Sequence, residues 1–150
     1  MLRVNDFRNY ITEIKNAIPE ITNSETVMDD SQLSKFLQEQ ASETYIILGV
    51  IPKHNLLGTV DSLSSKDRVA ILVLKKIVRS DHTHSDFLDT IDEAQQVTKK
   101  VIDKILADFA DEDNCGFLRY LIPAETDVEP VWALNSCDGY EIDLVFNTTF

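Results

Sequence analysis

The residues best equipped for chemistry lie together in Asp81-His82-Thr83-His84-Ser85-Asp86. Two imidazoles and two carboxylates within six residues match the ligand types of zinc or manganese. In an extended segment His82 and His84 project the same way at best, and no third ligand is evident elsewhere. Asp81, His82, His84 and Asp86 are therefore weak metal candidates. Thr83 with Asp86 three residues on has the spacing of a capping box, so the patch reads first as a polar loop capping the next helix. Asp111-Glu112-Asp113-Asn114-Cys115-Gly116 places acids and a glycine as a calcium loop does. Cys115 and Ile122 then fall where calcium needs oxygen, which rules that loop out. Neither Cys115 nor Cys137 has a patterned histidine, and no Gly-x-Ser-x-Gly elbow or phosphate-cradling glycine loop occurs. No catalytic residue, no cofactor and no enzyme activity is expected.

A second stretch suggests contact rather than reaction. Residues 53–66 read as a hairpin loop longer than a simple connection needs, and such loops often make contacts. Lys53, His54, Asn55, Leu56 and Leu57 combine charge with exposed-looking apolar side chains and are the candidate partner contacts.

These stretches need a scaffold, and hydrophobic periodicity supplies one. Val4, Phe7, Ile11, Ile14 and Ile18 recur at steps of three and four, predicting an amphipathic helix that Pro19 stops. Residues 20–30 are polar and read as loop. Asp30 or Ser31 could cap a short helix carrying Leu33, Phe36, Leu37 and Ala41. Thr44–Ile51 and Asp67–Val78 read as strands on either side of the long loop. Phe87, Ile91, Ala94, Thr98, Val101, Ile105 and Phe109 then mark one long helix, with Gly116 as its stop. Phe117–Ile122, Val131–Asn135 and the alternating Tyr140–Phe146 read as three strands, the last two separated by a Cys137-Asp138-Gly139 turn. The order predicts a single α+β domain over residues 1–150. Its sheet of about five strands is antiparallel or mixed, with the long helix and the N-terminal helix packed on one face.

Composition narrows the partners. The 150 residues are 43% hydrophobic and 27% charged, a globular balance. Of the net charge of −12, residues 1–85 contribute −1 (11 acids, 10 bases), residues 86–113 contribute −6 (9 and 3) and residues 114–150 contribute −5 (6 and 1). Such acidity repels nucleic acid and anionic membranes, so neither is an expected partner. No apolar run approaches a membrane span, and Met1–Asp6 leads into the first helix without an apolar signal core. A cytoplasmic product with reduced cysteines is expected.

The order of elements resembles that of tail-terminator and tail-completion proteins of long-tailed bacteriophages. The resemblance is carried by the helix Val4–Ile18, the strand pair Thr44–Val78 with its long loop, the helix Asp86–Ala110 and the closing Asp138-Gly139-Tyr140-Glu141-Ile142-Asp143-Leu144-Val145-Phe146. It covers most of the chain by pattern and contains no specific residue motif. It implies a non-enzymatic homo-oligomer, commonly a hexameric ring, made in the host cell and carried in the virion against other tail proteins. Strand edges and the 53–66 loop would be its contact surfaces. Two alternatives stand beside it. One is an acidic inhibitor or nucleic-acid mimic that binds a basic partner; the other is a metal-dependent enzyme using Asp81–Asp86.

Overall fold

A computed structural model describes residues 1–59, 62–78, 80, 83–113 and 115–149. Helix α1 (Val4–Ala17) leads to strand β1 (Ile21–Val27), helix α2 (Asp30–Gln38) and the paired strands β2 (Tyr45–Thr59) and β3 (Ser62–Lys76). Helix α3 (His84–Ala110) follows, then 3₁₀ segments at Gly116–Tyr120 and Pro123–Glu125, and strands β4 (Asp127–Leu134) and β5 (Cys137–Thr149). The five strands form one mixed sheet in the order β1-β2-β3-β5-β4. Only β1 and β2 run parallel, and the other neighbours are antiparallel. The α+β class and the mixed sheet agree with the sequence pattern.

The core divides by sheet face. Ile47, Val69, Ile71, Val73, Ile142, Leu144 and Phe146 point to one face, where α1 closes over them with Phe7, Ile11 and Ile14 and α3 with Val97, Val101 and Ile105. The opposite face offers Ile46, Leu48, Leu72 and Leu74, and α2 covers these with Leu33 and Leu37. The long and N-terminal helices therefore share a face, as expected, while the short helix lies on the other. Two polar links fix α1 against α3. Tyr10 donates its hydroxyl to Asp108 at 2.7 Å, and Lys104 reaches both Asp108 (2.8 Å) and Glu13 (3.1 Å). Burial first, and the Asp108 carboxylate second, push the Tyr10 phenol far above its ordinary range.

The structure corrects several expectations. Residues 20–30 hold strand β1 rather than a loop. Only Ile21 and Val27 are buried there, so an edge strand with a polar middle left no apolar alternation to read. Residues 53–59 and 62–66 are strand rather than loop, because β2 and β3 remain paired from Lys53↔Arg68 to Thr59↔Ser62; residues 60 and 61 lie outside the described residues. A bulge between Val50 and Lys53 re-aims the hairpin, and β5 pairs alongside it up to Ser64↔Thr149. Where Phe117–Ile122 reads as a strand, Gly116–Tyr120 is a 3₁₀ segment that buries Leu118, and only Leu121 just beyond it is extended, in an isolated bridge to Phe146. The α2 cap is Asp29, whose carboxylate accepts from the Ser31 and Gln32 amides. Helix α3 ends at Ala110 with Asp111 as its C-cap, where its apolar period fades, so Gly116 lies beyond the stop. The last hairpin turns at Asn135-Ser136, both left-handed (φ 49° and 61°), so Cys137, Asp138 and Gly139 belong to β5. The Thr83–Asp86 capping box is present as read.

One glycine sets the distance between α1 and the sheet. A Cβ on Gly49 would lie 2.7 Å from Ile11 Cγ1 and 2.8 Å from Phe7 Cε1. Gly49→Ala should therefore cost about 2 kcal/mol through overpacking. Thermal melts followed by circular dichroism test this; an unchanged midpoint would mean that α1 does not press on β2 here.

Candidate functional site

The residues proposed for metal binding do not assemble a site. Asp81 and His82 lie outside the described residues. Asp86 accepts from both the backbone amide and the hydroxyl of Thr83 at 2.7 Å, which places its carboxylate at the helix cap. His84 is exposed and stacks on Phe87, with ring centroids 6.1 Å apart. Among the described residues no group of three His, Cys, Asp or Glu is arranged to hold a metal ion.

What His84 does join is an apolar groove. A cavity of about 630 Å³ opens between the first turns of α3 and the end of β4, lined by His84, Phe87 and Ile91 on one side and Pro130, Val131 and Trp132 on the other. Trp132 is 69% exposed and meets Phe87 edge-on at 6.2 Å. The backbone explains its position. A bulge between Val131 and Leu134 lifts Trp132 and Ala133 out of register, and Ala133 takes a left-handed φ of 62°. Buried Asp138, opposite this bulge on β5, accepts the Ala133 N–H at 2.7 Å and holds it open. Leu88, 53% exposed on the next position of α3, extends the apolar surface beyond the cavity.

The proposed contact residues Lys53, His54, Asn55, Leu56 and Leu57 lie on the β2–β3 hairpin, at the far end of β3 from the groove. Leu56, Leu57 and Leu63 are 52%, 44% and 38% exposed. Leu56 and Leu63 share one side of the ribbon and Leu57 takes the other, so the tip is apolar on both sides. His54 is different, because its Nδ1 donates at 2.8 Å to Asp67, a fully buried carboxylate. Asp67 also accepts from the Leu2 amide (2.7 Å), the Thr148 hydroxyl (3.0 Å) and the Ser65 hydroxyl. Serine, histidine and aspartate do meet here, but the aspartate sits between the other two. The serine bonds the carboxylate rather than the imidazole, so this is no nucleophile triad. Burial alone would raise the Asp67 pKa; the four donors outweigh it and hold the carboxyl below its ordinary 3.8.

Charge is segregated on the α2 side of the sheet. Asp127 faces Asp143 across β4 and β5, and Glu129 faces Glu141 one rung on. None of the four forms an ion pair with a described lysine or arginine. Partial burial and the neighbouring Asp143 and Glu129 charges raise the Glu141 pKa above 4.5. The same face carries the opposite arrangement at the base of the hairpin, where Lys53 and Arg68 are direct cross-strand partners.

Neither the protein-family models nor the curated proteins contain a match to this chain. Apart from His84, the groove residues and the acidic rungs were not among the sequence candidates. The signals that could have found them are the i, i+2 acid pairs Asp127/Glu129 and Glu141/Asp143, and Ser65 and Asp67 continuing the inward register of Val69, Ile71 and Val73.

Two substitutions probe these features. Asp67→Asn should lower stability by about 3 kcal/mol at neutral pH, since a saturated acceptor is replaced by a group that brings donors of its own. A carboxyl depressed in the fold stabilises above its ordinary pKa of 3.8 and loses that contribution as pH falls through the folded value. The wild-type advantage in chemical denaturation should therefore close on acidification, and a pH-independent gap would refute the ionised node. Glu141→Gln should raise stability by about 0.5 kcal/mol at pH 7 and low salt, a small gain because the rung is partly solvated and screened. It should vanish below pH 4.5, where Glu141 is protonated folded or unfolded, and persistence there would point to packing rather than charge.

Proposed function

We propose that this chain is a non-catalytic structural subunit that works by packing against copies of itself and a further partner. Its leading example is a ring-forming tail-completion subunit that joins head and tail in a long-tailed phage or prophage. The observation that carries the reading is the concentration of exposed apolar side chains at two opposite ends of β structure. Leu56, Leu57 and Leu63 stand at the hairpin tip, and Trp132 stands at the groove. Exposed apolar surface of this kind belongs to sites that another macromolecule covers. The α+β order of elements that resembles the tail proteins supports it too.

The acidic rungs favour a second reading, an inhibitor or mimic that presents Asp127, Glu129, Glu141 and Asp143 to a basic protein. The two readings differ in mass and in salt response. Light scattering behind a sizing column, at low salt, at high salt and with magnesium, should find a discrete ring-sized species that grows as charge is screened. A strict monomer under all three conditions, together with salt-sensitive capture by a basic protein, would replace assembly with the second reading. No helix among the described residues is long and apolar enough to cross a membrane.

A further inference from the structure

We infer that the open edge of β2 over Lys53–Thr59 pairs antiparallel with the same edge of a second copy of this chain. This rests on the assembly reading and names the contact that would begin it. Strand β1 lines β2 only from Tyr45 to Val50, so beyond the bulge the outer edge of β2 meets no described strand. That edge is ordered before any partner arrives. On its inner side β3 pairs with it through Thr59↔Ser62, β5 backs β3 as far as Ser64↔Thr149, and His54 is tied to buried Asp67. The devices that guard an edge strand are sparse here. From Lys53 to Thr59 there is no proline, the pairing to β3 runs without a shift, and Lys53 is the only lysine, arginine or acid. The unmet N–H and C=O groups of such an edge are the template to which another strand adds.

The occupant follows from the self-complementarity of these seven residues. An antiparallel pair centred on Leu56, with its two-fold axis normal to the sheet, sets Leu56 opposite Leu56 and Asn55 opposite Leu57. Leu56 and Leu57, 52% and 44% exposed, are then covered from across the axis. The same register sets Lys53 opposite Thr59, so the two lysines fall at opposite ends, roughly 20 Å apart, and no like charges face each other. The free length matches as well. Strand β1 stops at Val27↔Val50, and Ile51 and Pro52 intervene before Lys53. A copy whose Thr59 lies opposite Lys53 therefore brings its tip to the end of β1, where Met28 is 63% exposed. Net charge selects the same end of the molecule. Residues 53–68 carry three bases against Asp61 and the buried Asp67, while residues 86–150 hold −11 of the chain's −12. Copies of so acidic a chain approach with least repulsion by their hairpins. Because one surface serves both copies, the contact closes at two, and a ring containing it is a ring of such pairs.

Opposite charges placed across the axis test this. Leu56→Lys and Leu56→Asp each set like charges against each other in a pair of identical copies. Leu56 is exposed, so both variants should melt near the wild type. Each variant alone should lose the contact, its dissociation constant raised on the order of 30-fold or more, and show at most half the wild-type mass by light scattering. An equimolar mixture sets lysine against aspartate at one rung and should regain the wild-type mass, an even multiple of 17.0 kDa. A tip that met any other surface would gain nothing from the mixture. Variants that assemble like the wild type, a mixture that does not recover, or a wild type of odd subunit number would overturn the edge pairing while leaving assembly standing. A wild type that is monomeric at every salt and concentration would overturn both.

Discussion

Strand β3 is the constraint on which the other elements depend. It lies in the middle of the sheet, pairs with β2 and β5 along almost its whole length, and packs helices on both faces. Val69, Ile71 and Val73 face α1 and α3, while Leu72 and Leu74 face α2. That double burial explains its unbroken apolar run, which a half-wet strand would not carry. Beyond Val69 the strand leaves the helices' cover and the inward positions become Asp67 and Ser65, both fully buried. A buried carboxylate is tolerable only when its oxygens are satisfied, and donors from the N-terminal segment, β2, β3 itself and β5 supply this. The hydrophobic core thus hands over to a polar one, and the hairpin can extend as ordered structure past the reach of the helices.

The free edges of the sheet are poor places for another chain to add a strand. At β4, Pro130 lacks a donor and the bulge that follows breaks the register. At β1, a register shift near Ile21 and a polar middle have the same effect. Strand-edge pairing, the route expected from the sequence, is therefore blunted at β4 and β1, whereas Lys53–Thr59 of β2 extends beyond β1 as a further edge. The bulge that spoils β4 as a template is also what lifts Trp132 beside Phe87. One backbone irregularity, pinned by Asp138, thus both breaks the β4 edge and sets Trp132 against Phe87.

Legibility in the sequence followed the strength of the apolar period. Helices α1 and α3 were readable because each buries one continuous stripe, and the α3 cap because its spacing is local. The Asp127–Leu134 and Ile21–Val27 strands were half-seen or missed because edge strands bury few residues. The hairpin read as a loop for a related reason. Its order comes from long-range donors around Asp67, up to 83 residues apart along the chain, and no window of sequence contains them. The same limit hid the groove, since Phe87 and Trp132 meet only once α3 crosses the sheet. The contact residues 53–57 were located by composition alone, and the structure divides them. His54 belongs to the buried node, whereas Leu56 and Leu57 face outward.

The features that carry the assembly reading are each unfavourable in an isolated chain. Like charges directly opposite across β4 and β5 weaken that pairing, as do Lys53 and Arg68 across the hairpin. An exposed tryptophan beside an open apolar cavity leaves hydration unrelieved. A solubility argument accounts for scattered surface acids, yet not for acids set in facing rungs across β4 and β5. Under the proposed assembly, a second surface that covers the groove or brings opposite charge to the rungs would offset these costs. The arrangement of these groups, more than the net charge itself, is what the proposed assembly would draw on.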